Sequence, residues 1–458
     1  MEQSQTDGRR LSSRFGFING DVLSWALWDW ATSAFSSVVV TFLFAAYLTN
    51  KDLFGASANT DLGWADAIAG IVVALIAPAV GEWTDKSGKR KTVIVLTSLI
   101  VGVSVLGMFW VTPHSGLLLG LVLLGVGNVA LECGSVVYNA MVGDVSTEKT
   151  VGRVSGFGWG LGYVAGIVLL LVLYLSFISP QVGLFGVTSH NGMDVRISMV
   201  VTGAWILVFA LPLMIKTHNA PPVARRNRGV AGAYREVFRA IRRFWRTDRS
   251  VVWFLLSSAI YRDGLAGVFS FGGVLAGVVF GFSAEQVMVF GIAANVVAGI
   301  ATILFGRLDD RIGSAKVILI SLVSLLIAGG AVFLFHDGGQ AVFWVFGLLL
   351  CIFVGPAQSA SRTYLIRIAP DNMEGELFGL YATTGRVISF LAPMMYSTAI
   401  LLAAAAMGRT KDQVAYFGIL GIMLVLLAGL LTFLPLLRAS NSSQADGAST
   451  STEDAARI

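Results

Sequence analysis

This chain of 458 residues is 55% hydrophobic and only 13% charged, and its mean hydropathy is +0.76. Soluble globular domains carry roughly 25% charged residues, so this composition excludes a protein whose whole surface faces water. The net charge of +5 reflects which loops carry the basic residues and does not indicate a nucleic-acid partner.

The first half of the chain contains six apolar runs. They lie at 22–49, 65–81, 92–111, 116–142, 154–178 and 195–215. About 20 residues suffice to cross roughly 30 Å of hydrocarbon, so each run predicts a membrane helix. Residues 1–20 form a polar, basic cytoplasmic tail, and 21–215 form a predicted six-helix bundle. The first run lacks a cleavage pattern and is expected to be retained.

The longest polar connection is an arginine-rich linker at 216–250. Within it, apolar side chains recur every three or four residues between the arginines. This pattern predicts an amphipathic helix that lies in the plane of the lipid headgroups. The helix either straps the two halves of the chain together or binds lipid in a regulatory role.

The second half repeats the pattern of six apolar runs. They lie at 251–281, 284–305, 315–335, 341–365, 377–402 and 414–437. Residues 251–438 form a second predicted six-helix bundle, and 439–458 are predicted to be a disordered cytoplasmic tail. The fold class predicted from the sequence is therefore an all-α membrane protein with twelve transmembrane helices in two pseudo-symmetric six-helix bundles.

The basic residues indicate the orientation of these helices. Most of the 32 Lys and Arg residues fall in the tails, the linker and alternate loops, and those on the other side are Lys51, Arg196, Arg409 and Lys411. By the positive-inside rule, both termini are cytoplasmic. We expect a multi-pass protein of a bacterial inner (plasma) membrane.

A short glycine- and charge-containing hairpin follows the second run of each half. Its members are Gly81, Asp85, Lys86 and Gly88 in the first copy and Gly306, Asp310, Arg311 and Gly313 in the second. Gly152 and Gly156 correspond in the same way to Gly375 and Gly379. This parallel repeat places a substrate site near the membrane midplane between the halves. We interpret the hairpins as conformational machinery, in which the aspartate caps a neighbouring helix or pairs with an arginine.

Ionisable residues inside the apolar runs are the candidates for a functional site. They are Asp29, Glu132, Arg262, Asp263, Arg362 and Arg386. Each costs about 2.5–3.5 kcal/mol or more at a helix centre, a cost tolerated beside a cavity, a partner or a substrate. Pairing among the three acids and three bases is the alternative, and Asp29 and Arg362 are also close enough to a membrane surface for snorkelling.

Three further residues are candidates for the same site. Trp28 adjoins Asp29, Asn128 is one turn from Glu132, and Gln358 is one turn from Arg362. A tryptophan here either stacks on a cationic or zwitterionic solute or anchors the helix at the headgroups.

Several chemistries have no support in the sequence. The glycine-rich stretch 156–166 lies within an apolar run and has no preceding strand, so it is not a nucleotide-binding loop. Such glycines let membrane helices pack closely. No nucleophile and base, zinc-ligand or disulfide pattern occurs. We therefore expect no catalytic residue, no metal, no cofactor and no enzymatic activity.

The hairpins and the two six-run halves resemble the major facilitator superfamily. Within it, Trp28-Asp29-Trp30, Gly152-Arg153-Val154-Ser155-Gly156 and Gly355-Pro356-Ala357-Gln358 resemble the autophagy-related vacuolar effluxer branch and its bacterial relatives. The resemblance implies the major facilitator fold, alternating access and, from the eukaryotic relatives, amino-acid efflux. The second hairpin departs from the pattern, since Ser314-Ala315 stand where the first has the basic Lys89-Arg90.

The predicted function is secondary active transport of a small polar or zwitterionic solute, with proton coupling as a further hypothesis. Arg262, Arg362 or Arg386 would meet a carboxylate, while Asp29, Glu132 or Asp263 would meet an ammonium group or carry a proton. The alternatives are a proton-coupled carrier of sugars, drugs or organic anions, and a transporter-like solute sensor. The expected partners are the solute, the lipid bilayer and protons, with a monomeric chain.

Overall fold

The computed structural model describes residues 17–219, 239, 242, 244–246, 249–370 and 373–455, with side chains up to residue 437 apart from residue 284. Twelve helices among these residues are long and apolar enough to cross a membrane, which confirms the predicted fold class. They are α1 (Gly20–Leu48), α2 (Ala58–Ser87), α3 (Arg90–Trp110), α4 (Leu117–Ala140), α5 (Val151–Ile178), α6 (His190–Lys216), α7 (Arg249–Val278), α8 (Glu285–Ile312), α9 (Ser314–Leu334), α10 (Gln340–Ile368), α11 (Glu374–Met407) and α12 (Asp412–Leu437).

Polar segments precede and follow the second bundle, and the structure describes most of the second segment but little of the first. The predicted linker helix within 216–250 lies mostly outside the described residues. The helix that contains α12 continues to Ala455, through most of the stretch for which the sequence predicts a disordered tail. A helix that is already nucleated propagates at little cost, which accounts for this extension into a polar, alanine-containing sequence.

Local signals set several helix ends. Asn19 caps α1 by accepting hydrogen bonds from the backbone N–H groups of Asp21 and Val22. The two hairpin turns after α2 and α8 use glycine for a different reason. Gly88 has φ +69° and Gly313 has φ +89°, conformations that only glycine adopts without strain.

The contacts between helices repeat with a period of six helices. Five pairs in the N-terminal bundle each have a counterpart in the C-terminal bundle: α1–α5 with α7–α11, α1–α6 with α7–α12, α2–α4 with α8–α10, α3–α4 with α9–α10, and α3–α6 with α9–α12. The same operation relates the two largest interfaces between the bundles, α2–α11 and α5–α8.

The glycines of α5 form two stripes that face different helices. Gly152, Gly156 and Gly160 lie against the backbone of α8 in the other bundle, and a Cβ on any of them would come within 2.8 Å of it or of its side chains. Gly162 and Gly166 face Ser33 and Ser37 of α1. Glycines four residues apart therefore bring α5 close to both neighbours, as small residues do in membrane helix pairs.

The bundles are closed together at the end that carries the hairpins. A Cβ on Gly81 of α2 would lie 1.9 Å from the carbonyl oxygen of Gly375 in α11. One side of this interface extends to Thr383, whose hydroxyl donates to the carbonyl of Ala74 at 3.0 Å. A cavity separates the bundles beside this interface, and its lining on α11 runs from Phe378 to Ser389.

Helix α11 is broken near its middle. Its first part is Glu374–Ile388 and its second is Leu391–Met407. The first part packs on α2 and α4 of the N-terminal bundle, whereas the second packs mainly on α12 of its own bundle. The break therefore lies where α11 leaves the interface between bundles, next to Ser389, the last residue of α11 that lines the cavity.

Candidate functional site

A cavity of about 520 Å³ lies between the two bundles. Most of the residues predicted from the sequence to contact substrate line it, namely Trp28, Asp29, Glu132, Arg262, Asp263, Gln358, Arg362 and Arg386. Asn128 is not among the lining residues. The α1 side adds the hydroxyl groups of Thr32, Ser33, Ser36 and Ser37, and Gln358 accepts a hydrogen bond from Tyr163 at 3.4 Å.

Arg362 of α10 is enclosed by side chains of the N-terminal bundle and is only 2% exposed. Its guanidinium donates to the hydroxyl and carbonyl oxygens of Ser155, at 2.9 and 2.7 Å, and to the amide oxygen of Asn139 at 3.1 Å. It also forms an ion pair with Asp29 at 3.5 Å and lies 4.7 Å from the centroid of the Trp25 ring. Arg362 therefore ties the C-terminal bundle to the N-terminal one.

Trp28 is part of a buried aromatic stack. The ring of Tyr138 lies between those of Trp25 and Trp28, with centroid distances of 4.5 and 4.4 Å. The Trp28 indole N–H donates to the Ser98 hydroxyl at 3.0 Å, and the Tyr138 hydroxyl donates to Asp29 at 2.8 Å. The stack thus orients the Asp29 carboxylate, and Trp28 is too buried, at 2% exposed, to anchor at the headgroups.

A second ion pair crosses the cavity between Glu132 of α4 and Arg386 of α11. These side chains are 32% and 24% exposed, so the pair remains accessible from the cavity. Asn128 accepts a hydrogen bond from Arg386 at 3.5 Å and donates one to Asp66 of α2 at 3.3 Å. The three helices α2, α4 and α11 therefore share one polar network.

Adjacent residues of α7 have different surroundings. The Asp263 carboxylate accepts a hydrogen bond from the backbone N–H of Ala392 at 2.5 Å, so it caps the second part of α11. Arg262 instead lies over the ring of Tyr381, 3.6 Å from its centroid, and donates to the Tyr381 carbonyl oxygen at 3.1 Å. Asp263 therefore supports the broken helix, while the Arg262 guanidinium lines the cavity.

The charges on the two walls of the cavity have opposite signs. The acids of the N-terminal wall are Asp29 and Glu132, and the bases of the C-terminal wall are Arg262, Arg362 and Arg386. Asp263 is the exception on the C-terminal side, and its carboxylate is bound to backbone. The cavity thus presents an acidic wall opposite a basic one.

The first hairpin binds the start of α11. The Asp85 carboxylate accepts a hydrogen bond from the backbone N–H of Glu376 at 2.8 Å, and Arg90 pairs with Asp85 at 3.4 Å. Arg90 also pairs with Glu374 at 3.3 Å. Within the hairpin, Lys86 forms an ion pair with Glu82 one turn earlier.

The second hairpin binds the start of α5 in the same way. The Asp310 carboxylate accepts hydrogen bonds from the backbone N–H groups of Gly152 at 2.7 Å and Arg153 at 3.2 Å, and from the Arg153 side chain at 2.7 Å. This hairpin lacks the counterpart of Arg90, and Arg367 of α10 supplies a basic group instead, 3.7 Å from Asp310 and 2.5 Å from Asp309. Arg311 is exposed.

The sequence reasoning did not identify several residues of these networks. They are Asp66, Tyr138, Ser155, Asp309 and Arg367. Asp66 was detectable, because it is an acid inside an apolar run. Asn139 is a polar amide on the same helix as Glu132, like Asn128, whereas the uncharged hydroxyl of Ser155 is common in membrane helices and gave no signal.

Comparison with known proteins identifies a family and several relatives of this chain. A family model described as Major Facilitator Superfamily matches residues 30–393. The uncharacterized MFS-type transporter YxiO of Bacillus subtilis is 25% identical over 425 residues, covering 92% of this chain and 96% of that protein. Autophagy-related protein 22-1 of Aspergillus fumigatus is 25% identical over 281 residues, 54% of this chain. The matched part spans 44% of that fungal protein.

A solved structure shares the fold. The crystal structure of FucP, a Major Facilitator Superfamily transporter in the outward conformation, superposes with a TM-score of 0.66. The sequences are 15% identical, and the alignment covers 91% of this chain and 98% of FucP.

Proposed function

Because this chain belongs to the Major Facilitator Superfamily and is therefore a multi-pass secondary transporter, we propose that its solute is a small zwitterion such as an amino acid. The family match and the similarity to an autophagy-related protein 22 confirm the resemblance given by the motifs. The identity of the solute, its direction of movement and any proton coupling belong to this proposal.

The opposite charge of the two cavity walls is the observation that carries the proposal. An amino acid has an ammonium group and a carboxylate, and each needs a partner of opposite sign away from bulk water. With its ammonium group towards Asp29 or Glu132 and its carboxylate towards the arginines, a zwitterion would span the cavity. A neutral sugar would leave the Arg262 guanidinium without a counter-charge, because the other two arginines pair with Asp29 and Glu132. The charged groups that line the cavity argue against an apolar drug.

A substrate that spans the cavity would also couple binding to movement. Contacts to both bundles stabilise the arrangement in which the walls are closest, and a ligand shifts a conformational equilibrium by its difference in affinity for the two states. The hairpins hold the bundles together at their own end through Asp85 and Asp310. Release of these caps would let the bundles separate there while the other end closes, as alternating access requires.

The direction of transport is inferred from the relatives of this chain, and the orientation in the membrane from its basic loops. Because the basic loops lie at the hairpin end, we place that end and both termini in the cytoplasm of a bacterial cell. Efflux is the direction suggested by the vacuolar effluxer branch. Asp29 and Glu132 are the acids available to carry a coupled proton.

Exchange in proteoliposomes tests this function. Purified protein is reconstituted into liposomes that contain one unlabelled solute, and uptake of the same radiolabelled solute from outside is measured. The panel consists of amino acids, sugars and organic monoanions, and liposomes without protein are the control. We expect saturable exchange of at least one amino acid. If a sugar or a monoanion is exchanged and no amino acid is, the proposal that the solute is a zwitterion is refuted. Equal uptake with an imposed and a collapsed pH gradient would refute proton coupling alone.

A further inference from the structure

We propose that the guanidinium of Arg262 binds the carboxylate of the substrate, whereas Arg362 and Arg386 hold the bundles together. This inference rests on the proposed function. It assigns different roles to three arginines that the sequence alone cannot distinguish.

Two of the three cavity arginines already have carboxylate partners. Arg362 pairs with Asp29 and also donates to Ser155 and Asn139, so its donors are satisfied within the protein. Arg386 pairs with Glu132. Either arginine would have to give up a charged partner to bind a substrate, which costs more than using a group with no such partner.

Arg262 has no carboxylate within ion-pair distance among the described residues. It makes a single hydrogen bond there, from one terminal nitrogen to the Tyr381 carbonyl oxygen. Its neighbour Asp263 does not neutralise it, because that carboxylate is bound to the backbone N–H of Ala392. The other N–H donors of Arg262 are therefore available to a ligand in the cavity.

The local geometry orients Arg262 as an anion-binding group. Stacking on the Tyr381 ring, 3.6 Å from its centroid, holds the guanidinium plane while leaving its edge donors free. Gly385 also lines the cavity here, and a Cβ at this position would lie 3.4–3.6 Å from the guanidinium atoms. Glycine thus keeps space open beside the charge. A carboxylate matches two parallel donors of a guanidinium.

The test compares amino acids with their α-amides, such as leucine with leucinamide, across the 20 proteinogenic side chains. Ligand-induced thermal stabilisation of detergent-purified protein is titrated for the wild type, Arg262→Gln and Arg196→Gln. Arg196 is a matched control, because it also lies over a ring and donates to its carbonyl, that of Phe109, but does not line the cavity. Arg262→Lys keeps the charge without the flat, two-pronged geometry and serves if the glutamine variant does not fold.

We expect one or more amino acids, but not their amides, to stabilise the wild type and Arg196→Gln. Arg262→Gln should bind them about 10- to 100-fold more weakly, the usual loss for a hydrogen bond to a charged group, with Arg262→Lys intermediate. Wild-type affinity in Arg262→Gln, or equal binding of acid and amide, would overturn the inference while leaving amino-acid transport intact. No response to any amino acid, with exchange of another solute class in liposomes, would refute the inference together with the proposed function.

Discussion

Substituting Gly81 by alanine should force the bundles apart at the hairpin end. The new Cβ would lie 1.9 Å from the carbonyl oxygen of Gly375, which is about 1.5 Å short of ordinary contact at 3.4 Å. The position of the Cβ is fixed by the backbone of α2, and the oxygen belongs to the backbone of α11, so no side-chain rotation relieves the overlap. Overpacking of this kind costs roughly 1–3 kcal/mol. The cost falls on the arrangement in which α2 and α11 touch, so its population relative to the separated one should fall by roughly 5- to 150-fold.

The separation is measured as a distance between spin labels on the two hairpins. Cysteines replace Lys89 and Arg311, which are both exposed, after the buried Cys133 and Cys351 are changed to alanine. Double electron–electron resonance should show a longer distance becoming populated in the Gly81→Ala protein. Its melting temperature is recorded in parallel, so that a general loss of folding is distinguished from a shift between states.

Two matched glycines make the experiment decisive. Gly70→Ala lies on the same helix with nothing within 4 Å of the new Cβ and should leave the distances unchanged. Gly306→Ala, the counterpart of Gly81 in the repeat, would place its Cβ 2.6 Å from the carbonyl oxygen of Gly152 and should produce a smaller shift. Identical distributions for the Gly81 and Gly70 variants would show that this contact does not hold the hairpin end closed.

Two other contacts allow separate predictions. In a double-mutant cycle with Glu132→Gln and Arg386→Gln, thermal denaturation should give a coupling free energy of about 0.5–3 kcal/mol. The reason is that removing either partner leaves the other partly buried and unpaired. A coupling free energy near zero would mean that the ion pair does not stabilise the protein. Asp263→Ala removes the cap on the second part of α11, so hydrogen exchange at Ala392 should accelerate by roughly 2- to 30-fold, the equivalent of about 0.5–2 kcal/mol. Asp263→Asn keeps an acceptor and should show much less acceleration, and equal exchange in both variants would contradict the capping role.

The membrane helices and their repeat are readable from the sequence because the information is local. A run of about 20 apolar residues can only be accommodated in hydrocarbon as a helix, whatever its neighbours are. The hairpin glycines are also local, since the turns after α2 and α8 need positive φ at Gly88 and Gly313. The tail after residue 438 shows the limit of such reasoning, because helix propagation from α12 competes with a polar composition.

The candidate site was predicted as a set of residues but not as an arrangement. Charges such as Asp29 and Arg386 are conspicuous because they are rare and costly in apolar runs. Their partners are not conspicuous, since Arg362 finds Asp29 across more than 300 residues of chain, and Ser155 carries no charge to mark it. Composition cannot distinguish Arg262 from the other two arginines.

The sequence by itself determined the class of protein, the number of membrane helices, the twofold repeat and the identities of most ionisable groups in the cavity. These features follow from the cost of placing polar groups in lipid, which each segment meets on its own. Only the tertiary structure decided which charges neutralise each other, that Asp263 caps a broken helix, and that Arg262 keeps free donors. Those outcomes depend on the distances between helices that are far apart in the chain. The close approach of glycine backbones at the α2–α11 and α5–α8 interfaces sets these distances.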